Sequence, residues 1–228
     1  MKRKTVINAL LTCCVACGLL SCTDMDEYKK ISGDKEIVYP GKIQDVTVYS
    51  GDSRLVVEGL CNSDPKVTNC RICWNLDADY VDVPVDMSGG SYWLKKEIAL
   101  PENSYNFNIY TYDAEGNRSI PVSVTGKSYG EQYKAAISNR LVKSFSVQNG
   151  RPVIEWWEID TTLGAFATEV VYTDNQGAEV KVQVPVEEMS TVLDGYDMTS
   201  EVEYTTLYKP DALCVDEFRS VTGKLLLE

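Results

Sequence analysis

From residue 39 onward, apolar and polar positions alternate with a period of two, in short runs broken by Gly, Asp and Asn. That pattern predicts half-buried β-strands joined by tight turns. The clearest run is Tyr105-Asn106-Phe107-Asn108-Ile109-Tyr110-Thr111-Tyr112. Tyr105, Phe107 and Ile109 share one face; Asn106, Asn108, Tyr110 and Tyr112 share the other. Asp113-Ala114-Glu115-Gly116-Asn117 follows as a turn, with Gly supplying positive φ, and residues 120–124 return as the partner strand. Upstream, Leu55-x-Val57-x-Gly59, Cys70-x-Ile72-x-Trp74, residues 81–85 and residues 92–100 predict further strands. The second half repeats this grammar: residues 142–147, Pro152-x-Ile154-x-Trp156, residues 167–173, the turn Asp174-Asn175-Gln176-Gly177, residues 178–184 and residues 202–208. Between the halves, Tyr133, Ile137 and Leu141 recur every four residues, one apolar stripe that predicts a short helix over 131–141.

The start of the chain has a different texture. Lys2, Arg3 and Lys4 precede a mostly apolar run from residue 6 to residue 20. This run is shorter than the roughly 20 residues a membrane-spanning helix needs, and a basic start with a short apolar core is the secretory pattern. It ends in Leu19-Leu20-Ser21-Cys22, which resembles the lipobox of bacterial lipoproteins. The resemblance implies that Cys22 becomes the first mature residue, its sulfur carrying a diacylglycerol and its amine an acyl chain. Two or more chains anchor a protein stably. Thr23-Asp24-Met25-Asp26-Glu27 resembles the surface-export tag of Bacteroidetes lipoproteins, and also reads as a solvated tether. The expected location is the outer membrane, lipid-anchored and facing the cell exterior.

Two further resemblances concern the body. Leu100-Pro101, Tyr105-x-Phe107-x-Ile109, the Gly116 turn and Arg118-Ser119 resemble the end of a fibronectin type III domain. That resemblance implies a corner tyrosine at Tyr105, its hydroxyl bonded back to the backbone. It also implies a tryptophan where Gly59 stands; Trp74 is the expected substitute. Glu36-Ile37-Val38-Tyr39-Pro40-Gly41-Lys42, Ser63-Asp64-Pro65-Lys66-Val67-Thr68 and Tyr112-Asp113-x-Glu115-Gly116-Asn117-Arg118-Ser119 resemble a Bacteroidetes lipoprotein family, domain of unknown function 4998. The expected fold is all-β: two tandem fibronectin III/Ig-like β-sandwiches joined by a short helix, after a lipoprotein signal peptide. The expected divisions are 1–21 signal, 22–38 flexible tether, 39–127 first sandwich, 128–141 connecting segment and 142–228 second sandwich. Alternating strands without long helices argue against a Rossmann or barrel enzyme.

Charge and composition narrow the chemistry. The 228-residue chain carries −12, and becomes more negative still once the basic signal leaves. An acidic body repels phosphate backbones, so nucleic acid is not an expected partner. There is no histidine, which removes His triads, His proton shuttles and His metal sites. No catalytic set, metal site or cofactor is expected.

Cys70-Arg71-Ile72-Cys73 is a C-x-x-C, but on a strand its two side chains point to opposite faces. Cys61 and Cys70 lie at inward parity on strands that a sandwich places opposite each other. A disulfide between them fits an exported protein; two buried free thiols are the alternative. Asp77, Asp79, Asp82 and Asp86 lack EF-hand spacing and read as a charged strand edge. Trp156 and Trp157 are the best binding clue: neighbours on a strand face opposite ways, so Trp156 goes in and Trp157 goes out. An outward Trp157 is a stacking platform that Trp93, Tyr110 and Tyr112 would extend; covering the helix or the interdomain seam is the other reading. The expected function is non-enzymatic: a surface binding or accessory protein, with glycan capture as its task. The alternative is a structural spacer or docking module for a partner surface protein.

Overall fold

The computed structural model describes residues 39–227. The signal, the tether and Cys22 lie outside the described residues. Seven strands form the first sandwich: β1 Gln44–Ser50, β2 Arg54–Cys61, β3 Val67–Trp74, β4 Asp79–Pro84, β5 Tyr92–Ala99, β6 Asn103–Asp113 and β7 Val122–Ser128. They pair antiparallel as two sheets, β1-β2-β5 and β4-β3-β6-β7. Leu55, Val57, Leu94 and Ile98 from the first sheet meet Cys70, Ile72, Phe107 and Ile109 from the second in one core. Every strand therefore has one buried face, which is what period two requires.

The second sandwich uses β8 Val142–Gln148, β9 Arg151–Trp156, β10 Ala165–Thr173, β11 Glu179–Pro185, β12 Ser190–Val192, β13 Val202–Tyr208, β14 Phe218–Arg219 and β15 Gly223–Leu225. Its sheets are β12-β9-β8 and β11-β10-β13, with β14 and β15 both pairing β13. Treating β14 and β15 as one interrupted strand makes its strand order that of the first sandwich: a three-stranded sheet facing a four-stranded one, as in fibronectin type III-like sandwiches. Ile154, Trp156, Val170, Tyr172 and Val202 fill its core.

Tyr105 does act as a corner: its hydroxyl donates to the Pro101 carbonyl at 2.9 Å. A side chain at Gly59 would lie 2.6 Å from Ile43 Cδ1, so Ile43 fills the place of the family's tryptophan. Trp74 packs edge-on against Phe107 at 6.3 Å and adds aromatic bulk from β3.

The helix is shorter than the apolar stripe predicts. α1 spans Glu131–Ala136, and Ile137 is already extended. Gly130 offers no side-chain cap; instead the Glu102 carboxylate, from the β5–β6 turn, accepts from Gln132 N at 2.7 Å and Tyr133 N at 3.0 Å. Tertiary hydrogen bonds then take the chain out of the helix. Asn139 Oδ1 accepts from Thr206 N, and Arg140 N donates to Thr206 Oγ1, both at 2.8 Å. Tyr133 and Ile137 are buried, but Leu141 is exposed. The helix helps to build a seam between the sandwiches, where Tyr129, Tyr133 and Phe218 meet edge-on beside Tyr208 and Cys214. The β13–β14 loop crosses this seam: Ser50 Oγ donates to Asp211 at 2.7 Å, and Val215 N donates to the Ser50 carbonyl at 2.8 Å.

Candidate functional site

The outward face of the β4-β3-β6-β7 sheet holds a cluster of aromatic and polar groups around Arg71. Strand parity puts Ile72 inside and therefore Asn69, Arg71 and Cys73 on the other side of β3. Register sets Arg71 opposite Asp82 of β4 and Tyr110 of β6. Tyr80 and Tyr112, two residues further along those strands, are its diagonal neighbours. Arg71 grips Asp82 through Nε and Nη2, both at 2.7 Å, while Asn69 donates to the same carboxylate at 3.0 Å. The planar guanidinium then lies over the Tyr80 ring at 3.9 Å, with the Tyr112 ring at 5.4 Å. Such stacking is open to arginine because its fork is flat and weakly hydrated. The hydrogen bonds from Arg71 hold the Asp82 carboxyl below the usual carboxylate range. Tyr80 remains 53% exposed, so it has ring surface left for a ligand.

A strained turn borders this face. Asn75, Leu76 and Asp77 all have positive φ, at 53°, 56° and 64°, a conformation that costs a non-glycine residue on the order of 1–2 kcal/mol. Two bonds hold Asp77 there, from Asn108 Nδ2 and from the Tyr110 hydroxyl, both at 2.9 Å. Leu76 stands fully exposed at the tip. Around the tip, a groove of about 450 Å³ runs between Trp74, Leu76, Asp79, Pro101, Tyr105 and Asn106.

The four aromatics singled out from the sequence do not converge. Trp156 is 1% exposed and Trp157 53%, but Trp157 belongs to the second sandwich, with Lys143 at 5.8 Å from its ring. Its backbone is tied to the end of the connecting segment, N donating to the Leu141 carbonyl at 2.9 Å and O accepting from Arg140 Nε at 2.8 Å. Trp93 is exposed on β5, on the outer face of the other sheet and so on the opposite side of the first sandwich. Tyr110 must be corrected: its parity is outward, but Asp77 and Arg118 cover it and it is buried. Burial and the hydrogen bond to Asp77 push its hydroxyl pKa up. Tyr112 alone of the four belongs to the platform.

Arg71 and Tyr80 were missed. The signal was present in the alternation Tyr80-x-Asp82 opposite Asn69-x-Arg71, but only register reveals that the two strands are neighbours. The acidic run is likewise divided: Asp82 takes Arg71 and Asn69, Asp77 takes Tyr110 and Asn108, and Asp79 accepts from Asn75 at 3.2 Å. Among the described residues, no group of acidic, Cys or His side chains is placed to hold a metal ion. Cys61 and Cys70 are both buried in the core of the first sandwich and unbridged.

The model of the family DUF4998, described as a domain of unknown function, matches residues 22–218 and so runs through both sandwiches. The chain belongs to this family. No curated protein matches the sequence. Among solved structures, the chain is similar to the FN1-FN3 domains of chicken CNTN1, at 14% identity and a TM-score of 0.43, covering 85% of this chain and 70% of that one. It is also similar to a two fibronectin type III domain segment from chicken tenascin, at 13% identity and a TM-score of 0.33, covering 82% and 99%. In this member the described residues form two all-β sandwiches with the strand order of fibronectin type III-like domains.

Proposed function

We propose that this protein is a lipid-anchored, non-enzymatic binding protein of the outer cell surface that captures a neutral glycan on the first sandwich. The Tyr80–Arg71–Tyr112 stack carries this reading. Sugar rings present C–H faces to aromatic rings and hydroxyls to amides and carboxylates, and this face offers Tyr80 beside Asn69, Asp82 and Arg71. The net charge of −12 disfavours polyanionic glycans. The carboxylates Asp82 and Asp77 are bound to fixed partners, which suits recognition better than acid–base turnover. The anchor rests on the lipobox-like Leu19-Leu20-Ser21-Cys22; the family match begins at the same cysteine.

Affinity electrophoresis on a panel of neutral polysaccharides tests the binding. Retardation should be seen with the native chain, weaken about tenfold in Tyr80→Ala, consistent with ~1–1.5 kcal/mol for a stacked ring, and stay unchanged in Trp157→Ala. Absence of retardation on every glycan, or loss only in Trp157→Ala, would overturn the assignment. Palmitate labelling of the full-length product tests the anchor, and protease shaving of intact cells tests which way it faces.

The spacer reading is favoured by a separate observation, the hydrogen-bonded aromatic seam between the sandwiches. A fixed joint sets a reach and a direction. Cross-linking on intact cells should then recover one abundant surface partner, and an empty result would weaken that role.

A further inference from the structure

We propose that Cys61 and Cys70 are a disulfide-forming pair that staples the two sheets of the first sandwich. The described residues contain four cysteines, all buried, and the fold separates them into three environments. Cys61 ends β2 in the three-stranded sheet, and Cys70 sits in β3 of the four-stranded sheet. Both point into the same core, 3% and 0% exposed, near enough for each thiol to perturb the other's proton affinity. Cys73 is at the opposite parity of β3, with Asp77 and Arg118 among its charged neighbours, on the far side of the sheet. Cys214 lies in the seam, where its thiol donates to the Asp216 carbonyl at 3.3 Å. The pairing is therefore selected by topology: of these four sulfurs, only two share a core.

The chemistry is thiol–disulfide exchange with an exported protein disulfide or, in vitro, oxidised glutathione. One of the two thiols loses its proton and attacks the oxidant's disulfide, forming a mixed disulfide and releasing the oxidant's other sulfur as thiolate. The second thiol loses its proton and its sulfur displaces the first oxidant sulfur. One S–S bond forms and one breaks. Two electrons pass to the oxidant, and its two thiolates take up the two protons. Both sulfurs are buried, 3% and 0% exposed, so an oxidant cannot reach them in the folded sandwich and exchange there is slow. The bond forms during folding, before the core closes, and is then sealed from reductants. That it forms in the cell rests on the exported location proposed above; the pairing itself does not.

Trypsin makes the test clean, because cleavage after Arg54, Lys66, Arg71 and Lys95 puts Cys61, Cys70 and Cys73 on three separate peptides. The full chain is denatured, refolded in a glutathione redox buffer, blocked with iodoacetamide and mapped by mass spectrometry. The expected product is the 55–66 peptide linked to the 67–71 peptide, two mass units below the sum of the reduced peptides. Cys73 and Cys214 should be alkylated once the chain is unfolded. A refolded chain with Cys61 and Cys70 both alkylated, or with Cys70 linked to Cys73, overturns the proposal. Reductant added during refolding should lower the melting temperature by about 5 °C and should not shift that of Cys61→Ser. An equal shift in both chains would count against it. The same map on protein blocked inside its own cells reads the location separately: a link after refolding but not in cells upholds the pair and overturns the exported site.

Discussion

Arg54 of the first sandwich holds Asp216 of the second through two bonds, Nε to Oδ2 at 3.0 Å and Nη2 to Oδ1 at 2.5 Å, while Asp52 N donates to the same carboxylate at 2.8 Å. This pair fastens the β13–β14 loop across the seam. The hydrogen bonds from Arg54 hold the Asp216 carboxyl below the usual range. A depressed carboxylate contributes stability that is fully present above its unfolded pKa, about 4, and is lost as pH falls through the folded value. Asp216→Asn should therefore lower stability at pH 7 by about 1 kcal/mol, a modest figure because both side chains are partly solvated. The variant's stability should fall less steeply than that of the native chain below pH about 4. Urea melts at pH 7 and at pH 3 check both statements, and small-angle scattering should show a wider spread of interdomain angles in the variant.

Gly164 separates two kinds of glycine effect. Its φ is +85°, and a Cβ there would lie 2.0 Å from the Lys209 carbonyl oxygen. Backbone cannot move aside without breaking the bond that Lys209 N makes to Gly164 O at 2.9 Å. Gly164→Ala should cost more than about 4 kcal/mol or prevent folding. Gly177 has a similar φ, +82°, but open space around it. Gly177→Ala should cost only about 1 kcal/mol from the left-handed backbone. Parallel denaturant melts of the two variants make the comparison.

Tyr105→Phe removes only the hydroxyl that reaches Pro101. The ring, stacked near Phe107 at 6.2 Å, stays. The loss should be about 1 kcal/mol, the net worth of one neutral hydrogen bond, with the denaturant midpoint shifted and the slope unchanged.

Arg71→Lys keeps the charge and loses the fork. A lysine cannot hold Asp82 with two bonds and lie flat on Tyr80 at once. Glycan retardation should weaken several-fold although the net charge is the same. Equal retardation of the two chains would show that a simple positive charge suffices.

Much of this architecture was legible in the sequence because a sheet buries one face of each strand, and period two records that directly. Leu55, Val57, Cys70, Ile72, Phe107 and Ile109 advertise one core, and Ile154 and Trp156 another. The opposed fates of Trp156 and Trp157 follow from parity in the same way, while the corner at Tyr105 is what the fibronectin type III resemblance implied. Parity tells which face a residue takes, but not what lies over it. Tyr110 is outward by parity and buried because Asp77, 33 residues away in the chain, is hydrogen-bonded to it. Likewise, helical spacing continues to Leu141, yet Thr206 pulls Arg140 out of the helix. The platform of Tyr80, Arg71 and Tyr112 and the joint between Arg54 and Asp216 both depend on register and on a loop crossing a seam. Pairing between distant segments is set by packing, not by the local alternation of residue types, so only the tertiary structure could bring those side chains together.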